Sequence, residues 1–293
     1  MRFTAASLSR FAAGLTFGMI MASAAPAETS IEALSDTVTQ VENRLGARVG
    51  LSLVDTGSQQ AWSYRADERF LMNSTVKTPI CAAVLAHVDA GEMALSDRLL
   101  VKEDDLLSYA PVTEGRVGAE MSLADLCFAA LDMSDNTATN MVLDHLGGPQ
   151  EVTAFFRSTG DEVSRLDRRE PDLNIFAVDD PRDTTTPAAM SETLRTLLLG
   201  DALSEASRDQ LAEWMRHGGV TGDLLRAAAP EGWQVFDKSG SGSHTRNIIA
   251  VVTPEGKEPW VVALFISDAE VDFATRNAAL KEIGNAIMTV IRD

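Results

Sequence analysis

The chain has 293 residues, 45% of them hydrophobic and 23% charged, with 20 glycines and 10 prolines. That is ordinary globular composition, long enough for one large core or two smaller ones and too apolar for a disordered chain. Forty-three acids against 25 lysines and arginines give a formal net charge of −18, a field that repels nucleic acid and anionic lipid, so an anionic ligand must be held by a local cluster of cations.

The first stretch differs from the rest. MRFTAASLSR carries Arg2 and Arg10 and no acid, the apolar run FAAGLTFGMIMASAA follows, and small residues offer A-x-A sites ending at Ala24 or Ala27. The run is too short for a membrane span and reads as a secretory signal peptide over residues 1–27. Its removal leaves 23 cations against 43 acids, a charge of −20, on a soluble periplasmic or secreted protein.

From residue 29, Ile31, Leu34, Val38, Val41 and Leu45 recur at steps of three and four, which predicts an amphipathic helix closed by Gly46. RVGLSLVDT and AWSYRA, separated by TGSQQ, read as a hairpin. From Lys77 to about Gly222 the pattern is mainly helical, broken at Gly147-Gly148, Pro187 and Gly218-Gly219. Strands return with WQVFDK, NIIAVVTP and WVVALFIS, the last two separated by the turn EGKE. A final helix is predicted over 273–291, with Ala278, Ile283, Ile287 and Val290 along one stripe.

Strands at both ends and helices between them predict an α/β fold of the α+β sandwich kind. The two sets of strands pair into one antiparallel sheet covered by the N- and C-terminal helices. On this reading residues 28–66 and 217–293 form the sheet domain. Residues 67–216 form an all-helical domain that includes an omega-type loop at 165–183, and the active site lies in the cleft between the two.

Two cysteines occur, Cys81 and Cys127, 46 positions apart. Export places them where disulfides persist, and a bridge here would contribute up to roughly 4 kcal/mol in the chain-entropy model; two buried thiols are the alternative. His87, His145, His217 and His244 are scattered and no pair has metal-ligand spacing, so neither a zinc mechanism nor any other cofactor is expected.

Three short motifs carry the chemistry. In Ser74-Thr75-Val76-Lys77, Ser and Lys three apart on a helix start share a face, which sets an amine beside a hydroxyl. Ser134-Asp135-Asn136 follows MSLADLCFAALDM, and taken alone it reads as a helix cap. Lys238-Ser239-Gly240 ends WQVFDK, and taken alone it reads as a strand end and a turn. Each is weak by itself, but the ordered set S-x-x-K, S-D-N, K-[ST]-G in one exported chain is specific.

The set resembles penicillin-recognising serine enzymes, and the chain resembles class A β-lactamases over essentially its whole mature length. Further matching residues are Tyr109, RLDRREPDLN with Glu170 and Asn174, RDTTTP with Asp183, and the strand residue Arg246. The resemblance implies hydrolysis of the β-lactam amide of penicillins, and of some cephalosporins with help from Ser241, by a monomer that confers antibiotic resistance. Ser74 is then the nucleophile, and Ser134 passes a proton to the leaving nitrogen. Asn136 bonds the substrate's side-chain amide. Lys238, Ser239 and Arg246 bind its carboxylate, the N–H groups of Ser74 and Ser241 form the oxyanion hole, and Tyr109 is an aromatic wall.

Lys77 and Glu170 compete as the base for acylation. Neutralising an ordinary lysine at pH 7 costs about 4.6 kcal/mol, whereas a glutamate is already ionised, which favours Glu170 acting through a water held with Asn174 and leaves Lys77 as a positive relay. That base is disputed in the family. Deacylation by Glu170 is the clearer role. Glu170-Pro171 is expected cis, as in relatives, with Arg168 and Asp183 bridging the loop ends. Carbapenem-hydrolysing relatives often join by a disulfide the positions that are here Asn73 and Gly242, and its absence argues against that activity; Asn73 itself receives no role.

Three other classes compete. A penicillin-binding D,D-peptidase shares the motifs but lacks the Glu170 loop. An antibiotic-sensing domain usually belongs to a membrane receptor, and no second apolar stretch here is long enough to span. An α/β-hydrolase esterase needs a G-x-S-x-G elbow, which does not occur.

Overall fold

The computed structural model describes residues 26–293. The leader expected over 1–27 lies, but for its last two residues, outside the described residues.

Helix α1 (Pro26–Leu45) leads into strands β1 (Arg48–Asp55), β2 (Ala61–Tyr64) and the short β3 (Phe70–Leu71). A 3-10 turn, Asn73–Val76, runs directly into α2 (Lys77–Asp89). Next come β4 (Arg98–Leu100), β5 (Glu120–Ser122), α3 (Leu123–Asp132), α4 (Asn136–Leu146) and α5 (Pro149–Ser158). A long loop reaches β6 (Thr184–Thr185), then α6 (Pro187–Leu198) and α7 (Glu205–Met215). The chain closes with β7 (Gln234–Ser241), β8 (Arg246–Thr253), β9 (Trp260–Ser267) and α8 (Phe273–Arg292).

The five long strands form one antiparallel sheet in the order β2-β1-β9-β8-β7, so the N-terminal hairpin pairs with the C-terminal strands as expected. Successive residues of a strand face opposite sides, and here both sides are buried. Ile248, Ala250 and Val252 of β8 and Val262, Leu264 and Ile266 of β9 pack with α1 and α8. Ile249, Val251, Val261, Ala263 and Phe265 pack on the other side with residues of α2 to α7. Burial on both sides explains why β8 and β9 read as unbroken apolar runs rather than alternating ones.

Helix boundaries follow local chemistry. Ser122 and Asp125 make a capping box at the start of α3, and Asp135 and Thr186 cap α4 and α6 through Ala138 N–H and Ala189 N–H. Gly147, at φ +101°, ends α4 in the left-handed conformation that glycine takes without strain. Helix α2 is buried on nearly every side from Lys77 to Leu85, as a helix at the centre of its layer must be.

Three expectations need correction. The stripe of α8 is one residue out of register at its start: Ala278 is exposed, and Ala279 and Leu280 are buried above Ile283, Ile287 and Val290. Lys238-Ser239-Gly240 is not a strand end and a turn but lies inside β7, paired residue by residue with Ile249, Ile248 and Asn247. Cys81 and Cys127 are not bridged. Helices α2 and α3 bring both into one buried cluster as free thiols, and the Cys81 thiol points at the Cys127 carbonyl, 3.8 Å away, rather than bonding its sulfur. Burial pushes the Cys127 thiol well above its ordinary pKa.

Candidate active site

The 3-10 turn that carries Ser74 continues without a break into α2, so Lys77 enters the buried centre of the fold one turn after a partly buried Ser74. The turn is held against β7 by a close approach. A Cβ on Gly240 would stand 2.9 Å from Met72 O and 3.1 Å from Ser74 N, so only glycine lets the strand edge lie beside the serine's backbone.

The Lys77 ammonium is fully buried and touches two separate segments. It donates to Ser134 O (2.8 Å) and Asn136 Oδ1 (2.6 Å), and lies 3.3 Å from Ser134 Oγ. Glu170 Oε1 is 3.0 Å away in an ion pair whose side chains are both fully inaccessible. Burial lowers the Lys77 pKa below the ordinary lysine value against the pull of Glu170.

Ser134 occupies the turn between α3 and α4 with left-handed backbone, φ +58°. Its Oγ accepts from Lys238 Nζ at 3.0 Å while Lys77 approaches from the other side, so one hydroxyl stands between two ammonium groups. Lys238 is itself buried within β7. Burial, with Lys77 and Arg246 nearby, takes its pKa well below the ordinary value. The intervening Asp135 is fully buried and accepts from Val112 N, Thr113 N, Thr113 Oγ1 and Ala138 N. Those bonds tie the segment after Tyr109 to the start of α4, and Asn136 N–H donates to Tyr109 O at 3.0 Å.

Glu170 projects inward from the long loop, and its bond to Pro171 is cis. Asn140 holds both sides of the Glu170 peptide: it accepts from Glu170 N at 3.0 Å and donates to Glu170 O at 2.8 Å. Asn174 donates to Glu170 Oε2 at 2.6 Å. At the loop base, Asp183 accepts from Asp167 N (2.7 Å), Arg168 N (2.9 Å) and Arg168 Nε (2.5 Å), and its own carbonyl accepts from Met72 N at 2.9 Å. The loop is therefore tied to the strand that leads to Ser74.

A cleft of about 320 Å³ is lined by Ser74, Tyr109, Ser134, Asn136, Asn174, Ser239, Ser241 and Arg246, together with Val220, Gly240 and Phe273. Arg246 opens β8 opposite Ser241. Its guanidinium donates to Gly240 O and Asn277 Oδ1, both at 3.0 Å, and stacks 5.3 Å over the Phe273 ring. Burial pulls its pKa down to about 10, which leaves it charged at neutral pH. The cleft thus joins serine hydroxyls and Arg246 to the buried Lys77, Lys238 and the single carboxylate of Glu170, in a chain that is acidic overall.

Of the residues singled out from sequence, Ser74, Tyr109, Ser134, Asn136, Asn174, Ser239, Ser241 and Arg246 line this cleft. Lys77, Lys238 and Glu170 stand behind it in contact with Ser134 or Asn174, Arg168 and Asp183 sit at the base of the loop, and the two cysteines lie apart in the core. Sequence reasoning missed Asn140, Val220, Phe273 and Asn277. Asn140 had a signal, since it sits one helical turn after Asn136; the other three had none. Among the described residues, no three His, Cys, Asp or Glu side chains are arranged to hold a metal ion.

A model of the β-lactamase enzyme family matches residues 33–291. A β-lactamase of Rhodobacter capsulatus is 62% identical over 293 residues, the whole of both chains. The β-lactamase AER-1 of Aeromonas hydrophila is 42% identical over 94% of this chain and 93% of its own. Among solved structures, an ancestral Gram-negative class A β-lactamase superposes with a TM-score of 0.84 at 50% identity, covering 87% of this chain and 98% of that one. A β-lactamase from Xanthomonas campestris gives 0.86 at 44% identity, covering 89% and 98%. With the family model, full-length relatives and class A folds in agreement, the chain belongs to the β-lactamase enzyme family and is a serine β-lactamase of class A.

Proposed function

We propose that the enzyme opens the lactam ring of penicillins and some cephalosporins by transferring the acyl group to Ser74 and then hydrolysing that ester with Glu170. The observation that carries this reading is the buried Lys77 ammonium, which at once contacts the Ser-Asp-Asn turn and the Glu170 carboxylate one helical turn from Ser74.

Ser74 Oγ attacks the lactam carbonyl. Its proton leaves to the Lys77–Glu170 pair, directly or through a water. The two groups stand 3.0 Å apart, and burial makes the lysine easier to neutralise than the sequence argument allowed. The N–H groups of Ser74 and Ser241 take the developing oxyanion; loss of one such donor typically costs about a hundredfold or more. As the C–N bond breaks, Ser134 Oγ delivers a proton to the leaving nitrogen and is resupplied from the adjacent ammonium groups. Glu170, oriented by Asn174, then activates a water against the ester, which releases the ring-opened acid and restores the Ser74 hydroxyl.

Substrate binding uses the remaining groups. Lys238, Ser239 and Arg246 hold the substrate carboxylate, the local positive field that an acidic protein needs. Asn136 bonds the side-chain amide, and Tyr109 and Phe273 flank it. The leader and its basic start support export with the leader removed, leaving a soluble monomer; among the described residues no helix is long and apolar enough to cross a membrane. The test is Glu170→Ala with benzylpenicillin. Intact-mass spectrometry should find one penicilloyl group persisting on Ser74, and turnover at the wild-type rate would sink the role.

A further inference from the structure

Asn73, directly before the nucleophile, is fully buried with left-handed backbone, φ +48°. Asparagine is one of the few side chains that adopt this conformation readily. The backbone alone, however, does not call for a carboxamide lined up with three partners. Asn247 Nδ2 donates to Leu71 O at 2.8 Å and Met72 O at 3.2 Å. A carbonyl can only accept, so these two contacts decide which end of the Asn247 amide is nitrogen. The same nitrogen donates to Asn73 Oδ1 at 3.0 Å, and Thr245 Oγ1 donates there at 2.7 Å. Asn73 must then turn its own nitrogen the other way, where it donates to Asn174 Oδ1 at 3.0 Å. That leaves the Asn174 nitrogen for Glu170 Oε2 at 2.6 Å. Reversing any amide in the series would set oxygen against oxygen, at the last step against a carboxylate. The hairpin closes over the relay: a Cβ on Gly242 would stand 2.9 Å from Asn73 Nδ2 and 3.0 Å from Asn174 O.

We propose that Asn73 is a positioning residue for the hydrolytic half of the reaction, passing the fixed orientation of β8 through Asn174 to the Glu170 carboxylate. The inference rests on the assignment of deacylation to Glu170. Asn73 makes no bond to Lys77, Ser134 or Lys238, so Lys77 keeps its place to take the Ser74 proton without the Asn73 amide, whereas deacylation needs the Glu170 carboxylate aimed at a water. Its removal slows release of the acyl group and spares its formation.

The experiment uses Asn73→Gly, which keeps the left-handed backbone without strain, and Asn73→Ala, with Glu170→Ala in parallel. Benzylpenicillin acylation is followed by rapid quench, and decay of the Ser74 adduct by intact mass. Both Asn73 variants should decay about tenfold more slowly, acylate within about twofold of wild type, and show a KM that falls with kcat. An Asn73→Gly/Asn174→Gly double variant should be no more than about twofold slower than Asn174→Gly alone, because the two residues act in series. Unchanged decay, an equal fall in both steps, or multiplying losses in the double variant would overturn the proposal while Glu170→Ala still traps the adduct. Wild-type decay in Glu170→Ala would instead remove the assignment on which it stands.

Discussion

Replacing Arg168 by alanine cuts the tie at the base of the Glu170 loop, and the structure sets the size of the loss. The Asp183 carboxylate is 1% accessible and the Arg168 side chain 14%. Breaking a buried pair by removing one partner costs about 3–5 kcal/mol, because a carboxylate is left uncompensated in the interior. Two backbone N–H groups continue to donate to Asp183, which puts the expected cost at the lower end, about 3 kcal/mol. At roughly 2–4 °C per kcal/mol for a chain of this size, the melting temperature should fall by roughly 6–12 °C. Arg168 also donates to Ile175 O, so the loop should loosen and deacylation should slow more than acylation. Calorimetry on Arg168→Ala, Asp183→Ala and the double variant separates a pair from two independent contacts. The double variant should lose clearly less than the sum of the singles, since removing both partners leaves no unpaired charge. A fall under about 2 °C in Arg168→Ala, or strictly additive losses, would refute the reasoning.

Two further outcomes are expected. Arg246→Ala should lower kcat/KM roughly 10- to 100-fold for substrates bearing the free carboxylate, the worth of about 1.5–3 kcal/mol in a bond to a charged group. It should barely affect a methyl ester of the same substrate, and equal losses for acid and ester would show that Arg246 does not bind the carboxylate. Glu42 gives a pH dependence away from the cleft. Burial pushes its carboxyl up, but bonds from Arg65, Val49 N–H and Tyr64 OH outweigh burial and hold it below the ordinary value. Its contribution to stability is therefore present above pH 4.5 and lost as pH falls through the lowered value. Glu42→Gln should melt below wild type at pH 6, with the gap closing towards pH 3; a gap constant across that range would count against the assignment.

The chemistry was legible because it lies in short runs. Ser74 and Lys77 share one helix start, and Ser134 to Asn136 one cap, so local spacing carries the information. The sheet was legible for a related reason: strands buried on both sides must be apolar throughout. What escaped depends on distance across the fold. Phe273 and Asn277 reach the cleft only because α8 begins beside the β7–β8 hairpin, and Val220 only because the segment after α7 folds back towards Ser134. Asn73 was visible as a residue but not as a relay, because its partners stand 101 to 174 positions away. The cysteines show the opposite error. Their number and expected compartment suggested a bridge, whereas side-chain direction on two packed helices decides whether sulfurs meet.

Ring opening of benzylpenicillin by the purified protein, followed over many equivalents, tests the central claim most directly. The account predicts continuous turnover that Ser74→Ala abolishes. A burst of one equivalent followed by arrest would contradict it, because Glu170 would then not be releasing the acyl group from Ser74.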